Sequence, residues 1–416
     1  MRVIWPDCER RIRGGSASGG IGPDDGRLFG VLMSREPSGG RMPEDRLCRM
    51  LAQAGSRMGV RVVAFAPEGV LKGRGSGTVR GWTLAGGDWA PAVAPVPKVY
   101  FDRRFPRSRS ELEAGALAVR ILGRHGSMPL GRSLPDKARV RAALERCPSL
   151  APLLPPTARL RPRLLPDLLR AHPAGLFLKP AAGMQGRGAA ALRPEPGGGI
   201  VRITGRTMPG RPFELRVPAE MLARAAARLA GGRPYLVQPL LPLRTAADEP
   251  FDLRLFAQKD GGGRWTVTGA AVRIGRPGAA ASNLHGGGAA RPASAFLAGL
   301  LGDAEADRLL ERARRAALLA ARETERAFGR LAEVGADFGI EPDGRLWLLE
   351  LNAKPGRAIF AEIGDEAGER LAAERTIAYG LRLAAGMRAA EARRAAPHAD
   401  RRRLKPRERD DRPLYG

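Results

Sequence analysis

The residues best placed to do chemistry lie in GADFGIEPDGRLWLLELNAKPG, from Gly335 to Gly356. Two apolar segments flank Glu341-Pro342-Asp343-Gly344-Arg345, which predicts a β-hairpin. With Asp343 and Gly344 at its tip, residues whose numbers sum to 687 oppose one another, so Asp337 faces Glu350. Cβ atoms so opposed are about 5 Å apart, and like charges in that position repel. Asn352 lies two residues beyond Glu350 and shares its face. Two carboxylates and one amide oxygen thus converge where repulsion calls for a cation, and an all-oxygen set favours a hard ion, Mg²⁺ or Mn²⁺. The plainer alternative is an exposed hairpin with scattered acids. Against it, Glu350 is embedded in the apolar run LWLLELN, where an unpaired carboxylate is costly. Lys354, in the turn that ends the strand, is placed to meet phosphate, substrate or simply solvent.

A second set of residues suits phosphate. LFLKPAAGMQGRGAAAL, beginning at Leu176, reads as strand, loop, strand, with Lys179 closing the first strand. Gly183, Gly186 and Gly188 punctuate the loop, where backbone N–H groups can approach phosphate oxygens without Cβ hindrance. The order does not fit a Walker loop, in which lysine follows the glycines and opens a helix. With 54 glycines in the chain, the loop alone decides little. The lysine says more, because only seven of the 70 basic residues are lysines. An ammonium on a flexible stem serves phosphate as a point charge. Lys137, near the start of a helix in LPDKARVRAALE, is another such lysine, or a surface residue. FDLRLFAQKDGGGRWTVTGAAVRIG, from Phe251, predicts two strands joined by a Gly-rich turn. Asp252 and Arg254 share one face of the first, and Arg273 ends the second. SNLHGGG then offers Asn283 and His285 beside flexible glycines.

These groups need elements to hold them. RLFGVLMS, ending at Ser34, and RVVAFAP, from Arg61, predict buried strands. Between them, Leu47, Met50, Leu51, Ala54 and Met58 recur at helical spacing. KVYFDR around Tyr100 is a further strand, Glu111 to Arg124 a helix, and the Pro-rich stretch from Ala90 to Pro97 a crossing loop. From Pro135 the pattern changes to strands joined by Gly-rich turns. PYLVQPLLPL, from Pro234, is one such strand. A long helix follows, capped by Asp303 and running to about Leu331.

The 416 residues, 44% hydrophobic, suit two or three lobes and exclude a globally disordered chain. No stretch approaches the roughly 18–20 apolar residues of a membrane helix. The N-terminal MRVIWPDCERRIRGG lacks the apolar core of a signal peptide. Three scattered cysteines argue against a disulfide framework and for a reducing, cytoplasmic setting. A net charge of +27 invites a nucleic-acid reading. The excess Arg accompanies abundant Ala, Gly and Pro throughout, however, and only 5% aromatic residues leave few platforms for bases. No specific nucleic-acid partner is expected.

In order along the chain, these segments resemble the ATP-grasp superfamily, and within it the YheC/YheD endospore coat-associated group. FDLRLF, SNLHGGG and GADFGIEPDGRLWLLELNAKPGR carry most of the resemblance, which spans roughly residues 27 to 385. SNLHGGG is also similar to the corresponding loop of RimK-type ligases. The resemblance implies a mixed α/β and α+β architecture: an N-terminal pre-ATP-grasp α/β lobe followed by a two-lobed ATP-grasp domain. The expected segments are a disordered arm 1–26, the α/β lobe 27–134, ATP-grasp subdomains 135–235 and 236–387, and a basic disordered tail 388–416. It further implies that Lys137 and Lys179 contact phosphates, that the loop with Gly183, Gly186 and Gly188 closes over ATP, and that Gln238, Pro239 and Leu240 form the adenine hinge. Pro239 stands where the family often has Glu. Its C=O and the Leu240 N–H are expected to serve the base. Asp252 is expected near the ribose. Arg254, Arg273 and Asn283 are expected to face the transferring phosphate, and Asp337, Glu350 and Asn352 to hold Mg²⁺. The implied activity is an ADP-forming ligase joining a small-molecule or peptide carboxylate to an amine through an acyl-phosphate, with spore association and spore coat proteins as partners. An ATP-binding coat protein without turnover is the alternative. Ala281 and Ser282 stand where RimK-like loops carry Arg, so selectivity for an acidic substrate does not follow.

Overall fold

The computed structural model describes residues 27–34, 42–73, 75–183, 186–279, 282 and 288–395. The expected N-terminal arm, Asn283, His285 and the tail beyond 395 lie outside the described residues.

The first sheet grows from short apolar runs alternating with amphipathic helices. In chain order come β1 (Leu28–Leu32), α1 (Asp45–Arg57), β2 (Arg61–Phe65), α2 (Pro67–Lys72), β3 (Thr78–Ala85), β4 (Asp88–Pro95), β5 (Val99–Asp102), α3 (Arg109–Arg124) and β6 (Met128–Pro129). The sheet order is β4-β3-β2-β1-β5-β6. Strands β1, β2, β5 and β6 pair in parallel, as strand–helix alternation requires. The stretch expected to be a crossing loop from Ala90 is instead mostly strand β4. It is an edge strand, where Pro91 and Pro95 need donate no ladder hydrogen bond on the open side.

After α4 (Lys137–Leu144) the second sheet forms, from β7 (Ala158–Arg159), α5 (Leu165–Ala171), β8 (Leu176–Pro180), β9 (Ala190–Pro194), β10 (Ile200–Arg206), β11 (Pro212–Pro218), α6 (Leu222–Ala230) and β12 (Tyr235–Pro239). Its order is β11-β10-β9-β8-β12-β7. The third sheet uses β13 (Phe251–Lys259), β14 (Trp265–Ile274), β15 (Ala289–Pro292), α7 (Ala293–Leu301), α8 (Asp303–Phe328), β16 (Glu333–Ile340) and β17 (Leu346–Asn352), ordered β15-β14-β13-β16-β17. Helices α9 (Ala358–Glu362) and α10 (Glu366–Ala395) close the described chain.

Packing cuts the chain differently from the expected segments. Val140 and Leu144 of α4 belong to the core formed by Leu253, Leu255 and helix α8, so the start of the 135–235 segment packs on the third sheet. The expected boundary at 235 falls inside β12. Helix α10 runs past 387 to Ala395, and its Ala373, Ile377 and Tyr379 join the core of the first sheet. The approach is close: a Cβ on Gly380 would lie 2.4 Å from the Phe29 ring. Asp303 is the first helical residue of α8 rather than its cap, which is Gly302 at φ 82°, and the helix stops at Phe328, short of Leu331.

A buried ion cluster ties the first sheet to the third. Arg103, just past β5, donates to Glu333 at 3.2 Å and to Glu44 at 2.8 Å, and Arg357 reaches the other Glu333 oxygen at 2.7 Å. Arg103 also donates to the Pro355 carbonyl at 3.3 Å, so it holds the turn that follows β17. That turn carries Lys354, which meets Asp102 at 3.1 Å.

Candidate functional site

Strand alternation puts Leu253 and Leu255 into the core and turns Asp252 and Arg254 to the opposite face. On that face the third sheet carries a row of charges. Arg254 of β13 stands opposite Asp337 of β16, and Asp337 stands opposite Glu350 of β17. One row along, Asp252 pairs with Arg273 of β14. The side chains meet as the registers demand. Arg254 grips Asp337 with two N–H groups, one of them at 2.8 Å. Arg273 binds Asp252 at 2.7 and 2.8 Å and reaches Asp337 at 2.9 Å. Ser282 donates its hydroxyl to Asp252. These four charged residues are 7–8% exposed. Burial works to raise the Asp337 carboxyl, but Arg254 and Arg273 outweigh it and hold it below the usual carboxylate range. Arg273 is raised in turn by the two acids it binds, against the effect of burial.

The facing of Asp337 and Glu350 comes about differently from the symmetric turn the sequence suggests. Glu341 N–H bonds Arg345 O, which centres the turn on Asp343. From there to Phe338↔Leu348 the paired numbers sum to 686, one short of the expectation. A bulge then restores Asp337↔Glu350. Leu349 is left without a cross-strand partner, and its carbonyl accepts from Lys179 Nζ of the second sheet at 3.4 Å. Bulges beside sites commonly re-aim a group in this way.

Glu350 Oε2 lies 2.8 Å from Lys137 Nζ, at the first turn of α4. Lys137, Lys179 and Glu350 line one cleft between the second and third sheets, together with Thr157, Leu236 and Gln238. Burial, with the Lys137 charge beside it, pushes the Lys179 ammonium down to about 8 against the pull of Glu350. Gly188 takes φ +75°, and a Cβ there would lie 2.6 Å from Met208 Sδ and 2.7 Å from Tyr235 Oη. Its carbonyl accepts from that Tyr235 hydroxyl at 3.0 Å. Gly183 and Gly186 also have positive φ, so the loop needs its glycines for conformation.

The donor set fits a hard cation. The bonds from Arg254 and Arg273 use three of about four lone-pair positions on Asp337. Only one Glu350 oxygen meets Lys137. Asn352 follows at the same face, opposite Gly335. Among the described residues no three His, Cys, Asp or Glu side chains cluster as a metal cage. An ion here would therefore complete its shell with waters or phosphate oxygens, as Mg²⁺ commonly does.

One expectation needs correction. Leu240 N–H donates to Gly175 O at 2.9 Å, within the fold. The Pro239 C=O and Leu240 N–H belong to one peptide group, trans like every described peptide, so they point in opposite directions and cannot serve one base edge. The N–H that shares an edge with the Pro239 C=O in an extended chain is that of Leu241. Asp252, Arg254, Arg273 and Asp337 form one arginine–carboxylate network, and none of these four is among the residues lining the cleft beside Gln238. Thr157, which accepts from Gln238 Nε2 at 2.7 Å, was not singled out by sequence; no spacing links it to β12.

Comparison with known proteins gives the class and the family to which these sheets belong: ATP-grasp. The profile described as YheC/D like ATP-grasp matches residues 127–383, and the chain belongs to that family. It is 29% identical over 291 residues to the endospore coat-associated protein YheD of Bacillus subtilis (strain 168), covering 68% of this chain and 62% of YheD. To YheC of the same organism it is 26% identical over 324 residues, covering 77% of this chain and 88% of YheC. Among solved structures, D-cycloserine synthetase DcsG is similar at a TM-score of 0.47 and 16% identity, covering 85% of this chain and 99% of that one. Among the described residues no helix is long and apolar enough to cross a membrane.

Proposed function

We propose that the cleft between the second and third sheets binds Mg-ATP, and that the protein is an ADP-forming ligase joining a carboxylate to an amine. The observation that carries this reading is the row Arg254–Asp337–Glu350, which ends on Lys137 with Lys179 across the cleft. Acids and cations alternate there as a nucleotide's phosphates and their counter-ion require.

Asp337, Glu350 and Asn352 hold Mg²⁺ (or Mn²⁺), which neutralises charge on the phosphate oxygens when bound. Lys137 and Lys179 take the phosphates of the nucleotide, and the loop of Gly183, Gly186 and Gly188 covers them. Arg254 and Arg273, with Asn283, face the transferring phosphoryl group. A substrate carboxylate oxygen attacks the γ-phosphorus and the bond to the β–γ bridging oxygen breaks, releasing ADP. The amine then attacks the acyl-phosphate carbon, loses a proton, and phosphate departs. Positioning and charge neutralisation supply the acceleration, and no protein nucleophile is needed. Gln238 and the peptide edge at Pro239 and Leu241 take the adenine.

The names of YheC and YheD support a role in spores with coat proteins as partners, and also a second reading in which a coat-associated protein binds ATP without turnover. A metabolite-extract screen followed by ADP release separates the two. Turnover lost in Glu350→Gln supports the ligase; tight Mg-ATP binding with no ADP from any extract supports the scaffold. AMP as product rules out the acyl-phosphate scheme.

A further inference from the structure

The adenine end of the cleft contains a polar arrangement whose direction chemistry alone determines. The Thr157 hydroxyl lies 2.9 Å from the Pro155 carbonyl and 2.7 Å from the Gln238 side-chain amide. A carbonyl can only accept, so the single hydroxyl proton goes to Pro155. Thr157 Oγ1 then has only lone pairs to offer Gln238, which must present its NH₂. The flipped amide would turn the hydroxyl proton to Gln238 and leave two acceptor oxygens facing each other at the Pro155 contact. The orientation is therefore set by partners, where an amide is ordinarily ambiguous.

With the NH₂ engaged, Gln238 Oε1 remains as an acceptor. It has no hydrogen-bond partner among the described residues, and it is not among the buried orphan atoms. Gln238 and Thr157 both line the cleft that holds Lys137 and Lys179. Gln238 pairs with Phe177 and Leu236 with Lys179 in the β8–β12 register, so Gln238 and Lys179 share one face of the second sheet. A base beside Gln238 therefore belongs to a nucleotide whose phosphates lie towards Lys179.

We propose that Thr157 is a positioning residue for base selection: by locking Gln238 with its carbonyl towards the cleft, it favours adenine over guanine nucleotides. Adenine carries an amino donor at position 6, which the Gln238 oxygen accepts. Guanine carries a carbonyl there, which it repels. The proposal rests on the nucleotide reading of the cleft, and Thr157 acts only through Gln238.

The test is binding of Mg-ATP and Mg-GTP to the purified full chain by calorimetry, with thermal midpoints recorded alongside. Wild type is expected to favour ATP. Thr157→Val, which keeps the shape and removes the hydroxyl, should cut the ATP:GTP affinity ratio by about tenfold, and Thr157→Ser should restore it. In a Gln238→Met background, Thr157→Val should leave the ratio unchanged, because the residue it orients is gone. A purely structural role for Thr157 would lower both affinities together and leave their ratio alone. An undiminished ratio in Thr157→Val overturns the proposal. Should that variant not fold, a Gln238→Met protein that still prefers ATP as strongly as wild type overturns it instead. Wild type that binds neither nucleotide sinks the functional reading, and this inference with it.

Discussion

Asp337 faces Glu350 directly across the β16–β17 ladder, yet the two acids are held by different partners: Asp337 by arginines of its own sheet, Glu350 by Lys137 of helix α4. The first is a buried network and the second an accessible contact, so they respond differently to substitution. Asp337→Asn leaves two desolvated guanidiniums short of charge and should destabilise the fold by roughly 3 kcal/mol or more. Glu350→Gln, at a side chain 22% exposed, should cost less than about 1 kcal/mol. Urea denaturation of the two variants, read at the midpoint, checks the contrast.

Lys179 gives the cleft a pH dependence. Its ammonium titrates near 8 in the folded protein against an ordinary 10.5. Between those values the unfolded chain binds more protons, so this residue makes stability rise with pH across that window. Nucleotide binding runs the other way, because phosphate requires the charged lysine. ATP affinity should be flat below about pH 7 and fall above about pH 8, with a proton taken up on binding. Calorimetry in buffers of different ionisation enthalpy measures that uptake. Lys179→Arg, always charged, should abolish it.

Gly188 is expected to tolerate no side chain. A methyl group would meet Met208, Tyr235 and Pro180 inside 3.0 Å while φ stays at +75°. Gly188→Ala should therefore lose about 2–4 kcal/mol from strain and overpacking together. Equal midpoints for wild type and variant in a thermal melt would contradict this.

The brace between the first and third sheets should show coupling. Arg103→Met removes one of two arginines from Glu333, whose side chain is 2% exposed. A loss of about 3 kcal/mol is expected. Combined with Glu333→Gln, the loss should fall short of the sum of the single changes by about 1 kcal/mol or more. Strict additivity in a double-mutant cycle would show that the contact carries no energy of its own.

Much of this arrangement is legible in the sequence because it is local. Alternation in FDLRLF separates Asp252 and Arg254 from Leu253 and Leu255, and the hairpin tip brings Asp337 to Glu350. The facing is nonetheless reached by two departures that cancel, a turn centred one half-step away and a bulge at Leu349; a strictly regular hairpin with the same turn would have missed it. The pairing of Arg254 with Asp337 joins positions 83 apart, and no local pattern sets that register. Thr157 and Gln238 are likewise 81 apart. Pro91 and Pro95 misled in the opposite way, since an edge strand hides its tolerance for proline until its neighbours are known. The opposed directions of the Pro239 C=O and Leu240 N–H follow from peptide planarity alone and could have been read without any structure.

The nucleotide cleft is tested most directly by titrating Mg-ATP into wild type and Glu350→Gln by calorimetry, with and without Mg²⁺. Saturable binding that depends on the metal, weakened at least tenfold by the substitution while the urea midpoint holds, is the expected result. No binding by wild type, or equal affinity in both proteins, would contradict the assignment of this cleft to Mg-ATP.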